Sequence, residues 1–364
     1  MKVGMAPMFQ GHGNPLSDAE IWRTDLALAD QAEAMGFDSV WATEHHFTRY
    51  HMSPDPLQFV TYMAGRTSSV QLGTMVTVLP WRQPARVAEN IIVADHLSQG
   101  RMILGVGRGT GPVEFNGMGV PMDTARLRFK EMTDVLIQGL ETGVMEYDGE
   151  IVRQSRVELH PAPFRSFKDR FYGASVSPES AAIMASLGAG VLIIPQKPWP
   201  VVAEEMDSYR AMYLKANGAV LPPSVVAGWT YVDENADRAQ EMAHKHIGEY
   251  FHSVVRHYGF DQPELSGIKG YEAHAVMYER LSRPGGLDKM TEGYVNLKPW
   301  GTPEQVYEKI KGFSSIVGAD HFVGVFRYAG LTGPEGERNM QLFAREVLPE
   351  LRKLDITVSE SAVA

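Results

Sequence analysis

Short runs of apolar and β-branched residues alternate along this chain with longer segments whose apolar residues recur at helical spacing. The short runs predict eight buried strands, at residues 2–8, 37–42, 70–79, 101–106, 171–175, 191–195, 225–232 and 321–326. The longer segments predict helices at residues 21–35, 56–66, 84–97, 124–140, 178–187, 201–215, 235–258 and 335–351. Eight strands that each precede a helix favour a (β/α)8 TIM barrel of the α/β class over an open doubly wound sheet.

Two segments interrupt this rhythm. Residues 148–169 form a polar, proline-containing link, and residues 259–299 form a long insertion before the last helix–strand unit, with a helical piece at residues 271–281. Loops of this length often act as lids, and Tyr271, His274 and Met277 are placed to close over a site, although a plain surface excursion is the alternative. We predict one domain over residues 1–358 and a disordered tail at residues 359–364.

Composition narrows the classes of protein to which the chain can belong. It is 44% hydrophobic and 21% charged, with a formal net charge of -10. This is a globular profile, and it argues against a broad surface for nucleic acid or an anionic membrane. The absence of cysteine excludes disulfides, thiolate metal sites, iron–sulfur clusters and cysteine nucleophiles. No stretch reaches transmembrane length and the chain begins directly with a strand, so we expect a cytoplasmic protein with no membrane partner.

The tetrapeptide Glu44-His45-His46-Phe47 directly follows the second predicted strand. In a barrel of this kind, ligands bind at the carboxyl ends of the strands. One histidine could merely cap the strand, which is the alternative for either of them alone. Adjacent residues on a strand point to opposite faces, so His45 and His46 cannot easily share one metal ion, and we predict no metal site. At most one of them faces the barrel mouth, where it is suited to proton transfer.

A glycine-rich loop at residues 105–111 leaves the fourth predicted strand, and Arg108 is its one fixed cation. Glycines at alternate positions suggest that the backbone passes close to a ligand. The spacing does not match a dinucleotide fingerprint and no P-loop lysine follows. The alternative is a tight turn whose arginine pairs with a surface carboxylate.

The helix after the fifth predicted strand begins with Ser177-Pro178-Glu179-Ser180. Serine at the N-cap and proline at the first helical position form a good helix start, and capping alone would explain them. The same terminus can bind a phosphate through its free N–H groups and its dipole. Together with Arg108 on the same face of the barrel, a phosphate site is the better interpretation.

Several segments of the chain together resemble the bacterial luciferase-like, flavin-dependent monooxygenases. The resemblance covers nearly the whole chain and is weakest in the insertion. It is carried by residues 36–41 leading into Glu44-His45-His46-Phe47, residues 72–80, residues 95–101, residues 105–109 with Glu114-Phe115 beyond them, and Trp300-Gly301-Thr302-Pro303-Glu304.

The resemblance implies a barrel that binds flavin mononucleotide (FMN) at its C-terminal face. His45 resembles the active-site histidine beside the reactive edge of the flavin, and Glu44 would orient the ring or the flavin edge. Met75-Val76 matches the position of a non-prolyl cis peptide beneath the isoalloxazine. The resemblance also implies that Arg108, Ser177 and Ser180 contact the phosphate of the cofactor. It implies a backbone contact at Val176.

The activity implied by the resemblance is a two-component monooxygenase. A separate NAD(P)H:flavin reductase would supply reduced FMN (FMNH2), and O2 would add to the flavin to give a peroxide adduct. The substrate would be small and hydrophobic. Three reactions stay open, namely aldehyde oxidation, Baeyer–Villiger oxidation and hydroxylation. Its apolar lining would come from Met8, Phe9, Trp81, Pro195 and Trp229, each of which could equally be a core residue.

Two other functions stay open. One is an oxidoreductase that transfers hydride with the deazaflavin F420, and the other is a non-catalytic flavin-binding protein. The resemblance also implies a homodimer or a higher oligomer.

Overall fold

The computed structural model describes residues 1–174, 178–265, 267 and 271–356. The tail predicted at residues 359–364 lies outside this part of the chain. The strands are β1 (Lys2–Met5), β2 (Ser39–Ala42), β3 (Gln71–Thr74), β4 (Thr77–Val78), β5 (Met102–Gly107), β6 (Val144–Asp148), β7 (Arg153–Glu158), β8 (Phe171–Gly173), β9 (Gly190–Ile193), β10 (Ser224–Trp229), β11 (Tyr231–Val232), β12 (Trp300–Gly301) and β13 (Ala319–Val325).

Helices follow the barrel strands and surround them. They are α1 (Asp18–Gln31), α2 (Pro56–Ala64), α3 (Pro84–Leu97), α4 (Pro112–Met118), α5 (Ala125–Thr142), α6 (Pro178–Ser186), α7 (Trp199–Asn217), α8 (Ala236–Tyr258), α9 (Glu272–Leu281), α10 (Gly286–Asn296), α11 (Pro303–Val317), α12 (Gly333–Leu342) and α13 (Leu348–Arg352). None of the helices in the described residues combines the length and the apolar character needed to cross a bilayer.

The strands form a closed parallel barrel. Their order is β3-β2-β1-β13-β10-β9-β8-β5, and β3 also pairs with β5, which closes the ring. The short β4 continues beside β5 above β3. The chain is therefore a single-domain TIM barrel, as the alternation of strands and helices predicted.

The apolar side chains of the barrel form two layers, because each barrel strand is buried on both faces. An outer layer packs between the strands and the helices, and includes Val40, Leu72 and Ile91. An inner layer fills the barrel and includes Trp41 and Ile103. This double burial explains why the strands are almost continuously hydrophobic in the sequence.

The structure differs from the sequence prediction at several places. The predicted strand at residues 70–79 is divided into β3 and β4, and the one at residues 225–232 into β10 and β11. The polar link contains β7, which forms an antiparallel hairpin with β6 directly before the link. The insertion contains α10 in addition to the predicted α9, and a π-helical turn at Phe343–Val347 interrupts the last predicted helix.

A buried ion pair ties α3 to the start of β8. Both guanidinium nitrogens of Arg170 contact the Asp95 carboxylate, at 2.5 and 2.6 Å, and both side chains are almost fully buried. Arg170 also donates to the carbonyl of Met102 at 2.9 Å. The pair therefore joins a helix of the outer ring to two neighbouring barrel strands.

We expect Asp95→Asn to lower the free energy of unfolding by about 3 kcal/mol or more, because it leaves the buried Arg170 without a counter-charge. Urea denaturation followed by circular dichroism measures this loss. The matched control is Asp30→Asn, which breaks the similar two-bond contact of Asp30 with Arg66 at the surface. That variant should lose less than about 1 kcal/mol. Equal losses in the two variants would contradict the prediction.

Candidate active site

His45 and His46 follow β2 at the barrel mouth, and their rings diverge as the sequence predicted. The His45 ring packs edge-on against Tyr50 and His51, with ring centres 4.8 Å apart in both cases. The His46 ring lies on the other side, against Trp81 and with its Nε2 atom 3.2 Å from the Glu44 carboxylate. His45 is thus the histidine that belongs to the mouth.

Glu44 is a buried carboxylate that joins the end of β2 to the segment after β3. Its oxygens accept hydrogen bonds from the backbone N–H of Val78 at 2.9 Å and from the side chains of Trp81 and Arg82, both at 2.8 Å. The sequence-based expectation that Glu44 orients the catalytic ring is wrong, because it contacts the ring of His46 and not that of His45. Its predicted contact with a cofactor stays a prediction.

Glu114, at the start of α4, brings His45 and His257 together. Its Oε1 atom lies 3.0 Å from Nδ1 of His45 and 3.4 Å from Nε2 of His257, which comes from the end of α8. The same oxygen accepts the backbone N–H of His46 at 2.9 Å. Glu114 is 1% exposed, so this contact is shielded from water.

The ligand atoms of His45, Glu114 and His257 lie within 4.8 Å of one another, a spacing that a metal ion could use with some adjustment. The argument against a metal made from the sequence concerned only the adjacent pair His45 and His46. In the structure, hydrogen bonds from His46 and His45 already occupy the Glu114 oxygen. We therefore treat the group as a hydrogen-bonded cluster and assign no metal to it.

The peptide Met75–Val76 separates β3 from β4, and it has the cis form, as predicted. Next to it, β5 carries Gly105 and Gly107. A Cβ atom on Gly105 would lie 2.1 Å from the Thr74 carbonyl oxygen, and one on Gly107 would lie 2.4 Å from the Val76 side chain. These glycines thus admit the neighbouring strand, whereas the sequence suggested that they admit a ligand.

Arg108 leaves the end of β5 and lines a cavity of about 500 Å³. Its guanidinium carbon lies 4.3 Å from the centre of the Tyr271 ring, which comes from the insertion. Tyr258, His274 and Pro195 line the same cavity. The insertion therefore brings Tyr271 and His274 to the cavity, while Met277 packs against the inner core layer.

The remaining predicted cofactor contacts are Val176, Ser177 and Ser180. Val176 and Ser177 lie outside the described residues, and Ser180 belongs to α6 but its side chain is not described. Their roles stay predictions.

The residues predicted to line an apolar mouth fall into three groups. Pro195 lines the cavity, and Met8 and Trp229 belong to the inner core layer. Trp81 is partly buried and donates to Glu44. Phe9 is a core residue, which was the alternative for it, because its ring stacks on a tryptophan of α1 in the outer layer.

Lys298 is a fully buried amine that sequence reasoning missed. Its Nζ donates to the Pro195 carbonyl and lies 4.0 Å from the centre of the Tyr294 ring and 5.2 Å from that of Trp229. Burial holds the pKa of the Lys298 amine well below its usual range. Because Pro195 and Trp229 follow or end β9 and β10, the amine lies across the barrel from His45 and β3.

Glu114 and His257 were missed as functional residues for different reasons. Glu114 was noted only within a family motif, and the short α4 that presents it was taken for loop. His257 ends a long amphipathic helix, where a histidine resembles a surface residue. The sequence feature that could have indicated a role for His257 is its position next to Tyr258 and Phe260 at the start of the insertion.

A closed parallel barrel with titratable side chains and an arginine at the carboxyl ends of its strands is the arrangement of a TIM-barrel enzyme. The family model for luciferase-like monooxygenases matches residues 1–320, and the chain belongs to that family.

Individual relatives agree with this family and extend over nearly the whole chain. The alkanal monooxygenase alpha chain of Photorhabdus luminescens is 24% identical over 345 residues, which are 93% of this chain and 94% of the relative. The crystal structure of monooxygenase RslO1 from Streptomyces bottropensis is 23% identical and has a TM-score of 0.79, covering 96% of this chain and 99% of that one. Together with the family, these relationships support an oxidoreductase of the monooxygenase type.

Two further structures share the fold but differ in the cofactor that they name. One is the oxygenating constituent of the Baeyer–Villiger enzyme 3,6-diketocamphane monooxygenase from Pseudomonas putida, in complex with FMN. It is 17% identical, with a TM-score of 0.72, and covers 96% of this chain and 98% of that one. The other is the F420-dependent tetrahydromethanopterin reductase from Methanopyrus kandleri, which is 21% identical, with a TM-score of 0.63 and coverages of 96% and 99%.

The buried Lys298 should make the stability of the protein rise with pH. The unfolded chain binds a proton at this amine more readily than the folded protein does, and this favours unfolding. The effect becomes smaller as the pH approaches the pKa of the unfolded chain, near 10.4. The slope is at most about 1.4 kcal/mol per pH unit. We expect Lys298→Met, measured by urea denaturation from pH 7 to pH 10, to lack this rise.

The control is Lys311→Met, because the side chain of Lys311 is 45% exposed. That variant should keep the pH dependence of the wild-type protein. Parallel curves for wild type and Lys298→Met would contradict the prediction.

Proposed function

We propose that the chain is the oxygenating component of a two-component, FMN-dependent monooxygenase. One observation carries the proposal: His45, the Met75–Val76 peptide and Arg108 lie at the ends of β2, β3 and β5, which are neighbouring strands of the barrel. They are the positions at which the family resemblance implies the catalytic histidine, the platform beneath the flavin ring and the phosphate contact.

The cavity that Arg108 lines suits a flavin. Its volume of about 500 Å³ falls within the range of roughly 300–1,000 Å³ that is usual for small-molecule sites. Arg108 lines it and can bind a phosphate through its guanidinium group. Ser177 and Ser180 would complete the phosphate contact, with Val176 offering its backbone.

Reduced FMN, when bound, supplies the electrons for the reaction of O2 with an organic substrate. His45 would hold or move a proton at the mouth through its Nε2 atom, since Nδ1 is directed at Glu114. The aromatic side chains around it would exclude water from the reacting atoms. Tyr50 and Tyr258 pack against the His45 ring, and Tyr250 and Trp229 extend this aromatic cluster beyond Tyr50.

A small hydrophobic substrate fits this lining best. The names of two relatives support that class, because one is an alkanal monooxygenase and another a Baeyer–Villiger monooxygenase. The proposal leaves aldehyde oxidation, Baeyer–Villiger oxidation and hydroxylation to experiment. It also includes a separate NAD(P)H:flavin reductase as partner and a cytoplasmic homodimer or higher oligomer.

Rapid mixing tests the proposal directly. The protein is loaded with reduced FMN without oxygen and then mixed with oxygenated buffer, while the visible spectrum is followed. A transient band that belongs to neither oxidised nor reduced flavin would support the proposal. Binding of FMN without such a band would favour a flavin-binding protein, and failure to bind reduced FMN would favour the F420 alternative.

We expect Arg108→Met to weaken the binding of FMN about 10- to 100-fold, because it removes a charge-assisted contact worth roughly 1.5–3 kcal/mol. Calorimetry with FMN and with riboflavin separates the phosphate contact from contacts to the ring. The variant should bind riboflavin as the wild-type protein does. An equal loss for both ligands would show that the arginine does not act on the phosphate.

We expect His45→Ala to keep the affinity for reduced FMN within about threefold and to shorten the lifetime of the transient species at least tenfold, the lower range of proton-transfer catalysis. The control is His46→Gln, on the side of the strand away from the mouth, which should keep the wild-type lifetime. An unchanged lifetime in His45→Ala would remove this histidine from the mechanism.

A further inference from the structure

The carboxylate of Glu114 carries an unusual set of partners for a buried acid. Three groups converge on its Oε1 atom: the backbone N–H of His46 at 2.9 Å, Nδ1 of His45 at 3.0 Å and Nε2 of His257 at 3.4 Å. Among the described residues, its ion-pair partners are histidines only. A buried carboxylate needs hydrogen bonds or a counter-charge, so the two imidazoles must supply them.

The charges around His45 leave Glu114 as its one ionised neighbour among the described residues. The titratable groups that face the His45 ring are Tyr50, His51, Glu114, His257 and Tyr258. Burial raises the pKa of both tyrosines and lowers the pKa of His51 and His257, so these four groups are neutral.

Glu114 itself stays ionised. Burial opposes its ionisation, but its interactions with His45 and His257 outweigh burial and hold the pKa of Glu114 well below its usual range.

A hydrogen-bond relay runs from Thr48 through His257 toward Glu114. The Thr48 hydroxyl lies 2.8 Å from Nδ1 of His257 and already accepts the backbone N–H of Tyr50 at 3.3 Å. The Glu114 carboxylate, 3.4 Å from Nε2, favours the hydrogen of a neutral His257 on that atom. Nδ1 is then an acceptor, and the Thr48 hydroxyl can donate its proton to it.

We propose that Glu114 is the positioning residue for His45, assisted by the Thr48–His257 pair. Glu114 accepts a hydrogen bond from Nδ1–H of His45, and this leaves Nε2 as the atom presented to the barrel mouth. The inference rests on the proposed function, because it concerns the histidine that would move the proton. Among the hydrogen bonds of the described residues, none engages Nε2 of His45, so this atom is available to a ligand.

The tautomer of His45 can be measured without any catalytic turnover. The full chain is labelled with [15N]histidine, and the ring nitrogens are observed by NMR with and without bound FMN. The signals of His45 among the 12 histidines are assigned from their loss in His45→Gln. We expect the hydrogen on Nδ1 in the wild-type protein, and at least about a tenfold fall in the ratio of Nδ1–H to Nε2–H in Glu114→Gln, whose amide is a weaker acceptor.

Two further variants keep the test decisive. Thr48→Val removes the donor to His257 with little change of shape, and we expect the His257 hydrogen to redistribute between its nitrogens. This variant also tests the relay if Glu114→Gln does not fold. The control is Glu131→Gln, a buried carboxylate that accepts only backbone N–H groups of residues 150–152 and should leave His45 unchanged. A folded Glu114→Gln with the wild-type tautomer ratio would overturn the proposal, as would a stoichiometric metal in the purified protein.

A kinetic measurement separates this inference from the proposed function. Removing a buried negative charge makes protonation of the neighbouring imidazole less favourable. In rapid mixing, we expect the pH profile of the transient flavin species in Glu114→Gln to move to lower pH, with the affinity for FMN within about threefold. A profile that does not move, although the transient species forms, would overturn the positioning role while leaving the proposed function intact.

Discussion

Buried carboxylates, each hydrogen-bonded to groups from other elements, hold the barrel mouth in shape. Glu44 joins the end of β2 to the segment after β3, and Glu114 joins the end of β2 to α4 and α8. Asp25 does the same for the first and last strands, since it accepts the backbone N–H of Phe9 at 2.7 Å and contacts Arg327 at 2.5 Å. An uncompensated buried charge costs several kcal/mol. Each acid therefore permits only the loop arrangement that supplies its donors.

The order of elements could be predicted from the sequence because each barrel strand is buried on both faces and each helix on one. The elements that were not predicted are those that the distribution of apolar residues does not distinguish from their surroundings. The hairpin β6–β7 is largely exposed, so its residues do not differ in hydropathy from those of a loop. The division of β3 from β4 at Met75–Val76 results from the backbone conformation within one predicted strand. The pattern of apolar residues gives no indication of that conformation.

The candidate site was predictable only where a functional residue adjoins a strand. His45 and Arg108 follow barrel strands directly, so the position of the strand ends located them. Glu114, His257 and Lys298 come to the mouth through elements that leave the barrel and return, and their distance in sequence from His45 hides the contact. His257, for example, reaches Glu114 only because α8 packs across the mouth with Tyr250 and Val254 in the inner core layer.

The electrostatic character of the mouth follows from this packing. Tyrosine and tryptophan rings exclude water, and in such surroundings a single charge acts more strongly than it would in solvent. The acid at Glu114 accepts hydrogen bonds from the His45 ring and the His46 backbone. Lys298, across the barrel, has aromatic rings and one carbonyl in place of a counter-charge. The indole N–H of Trp229 beside it is also buried without a partner among the described residues. The groups that can accept a proton thus lie at the end of β2, and Lys298 and Trp229, which can donate hydrogen bonds, lie at the ends of β9 and β10. A bound molecule would therefore meet acceptors at one end and donors at the other.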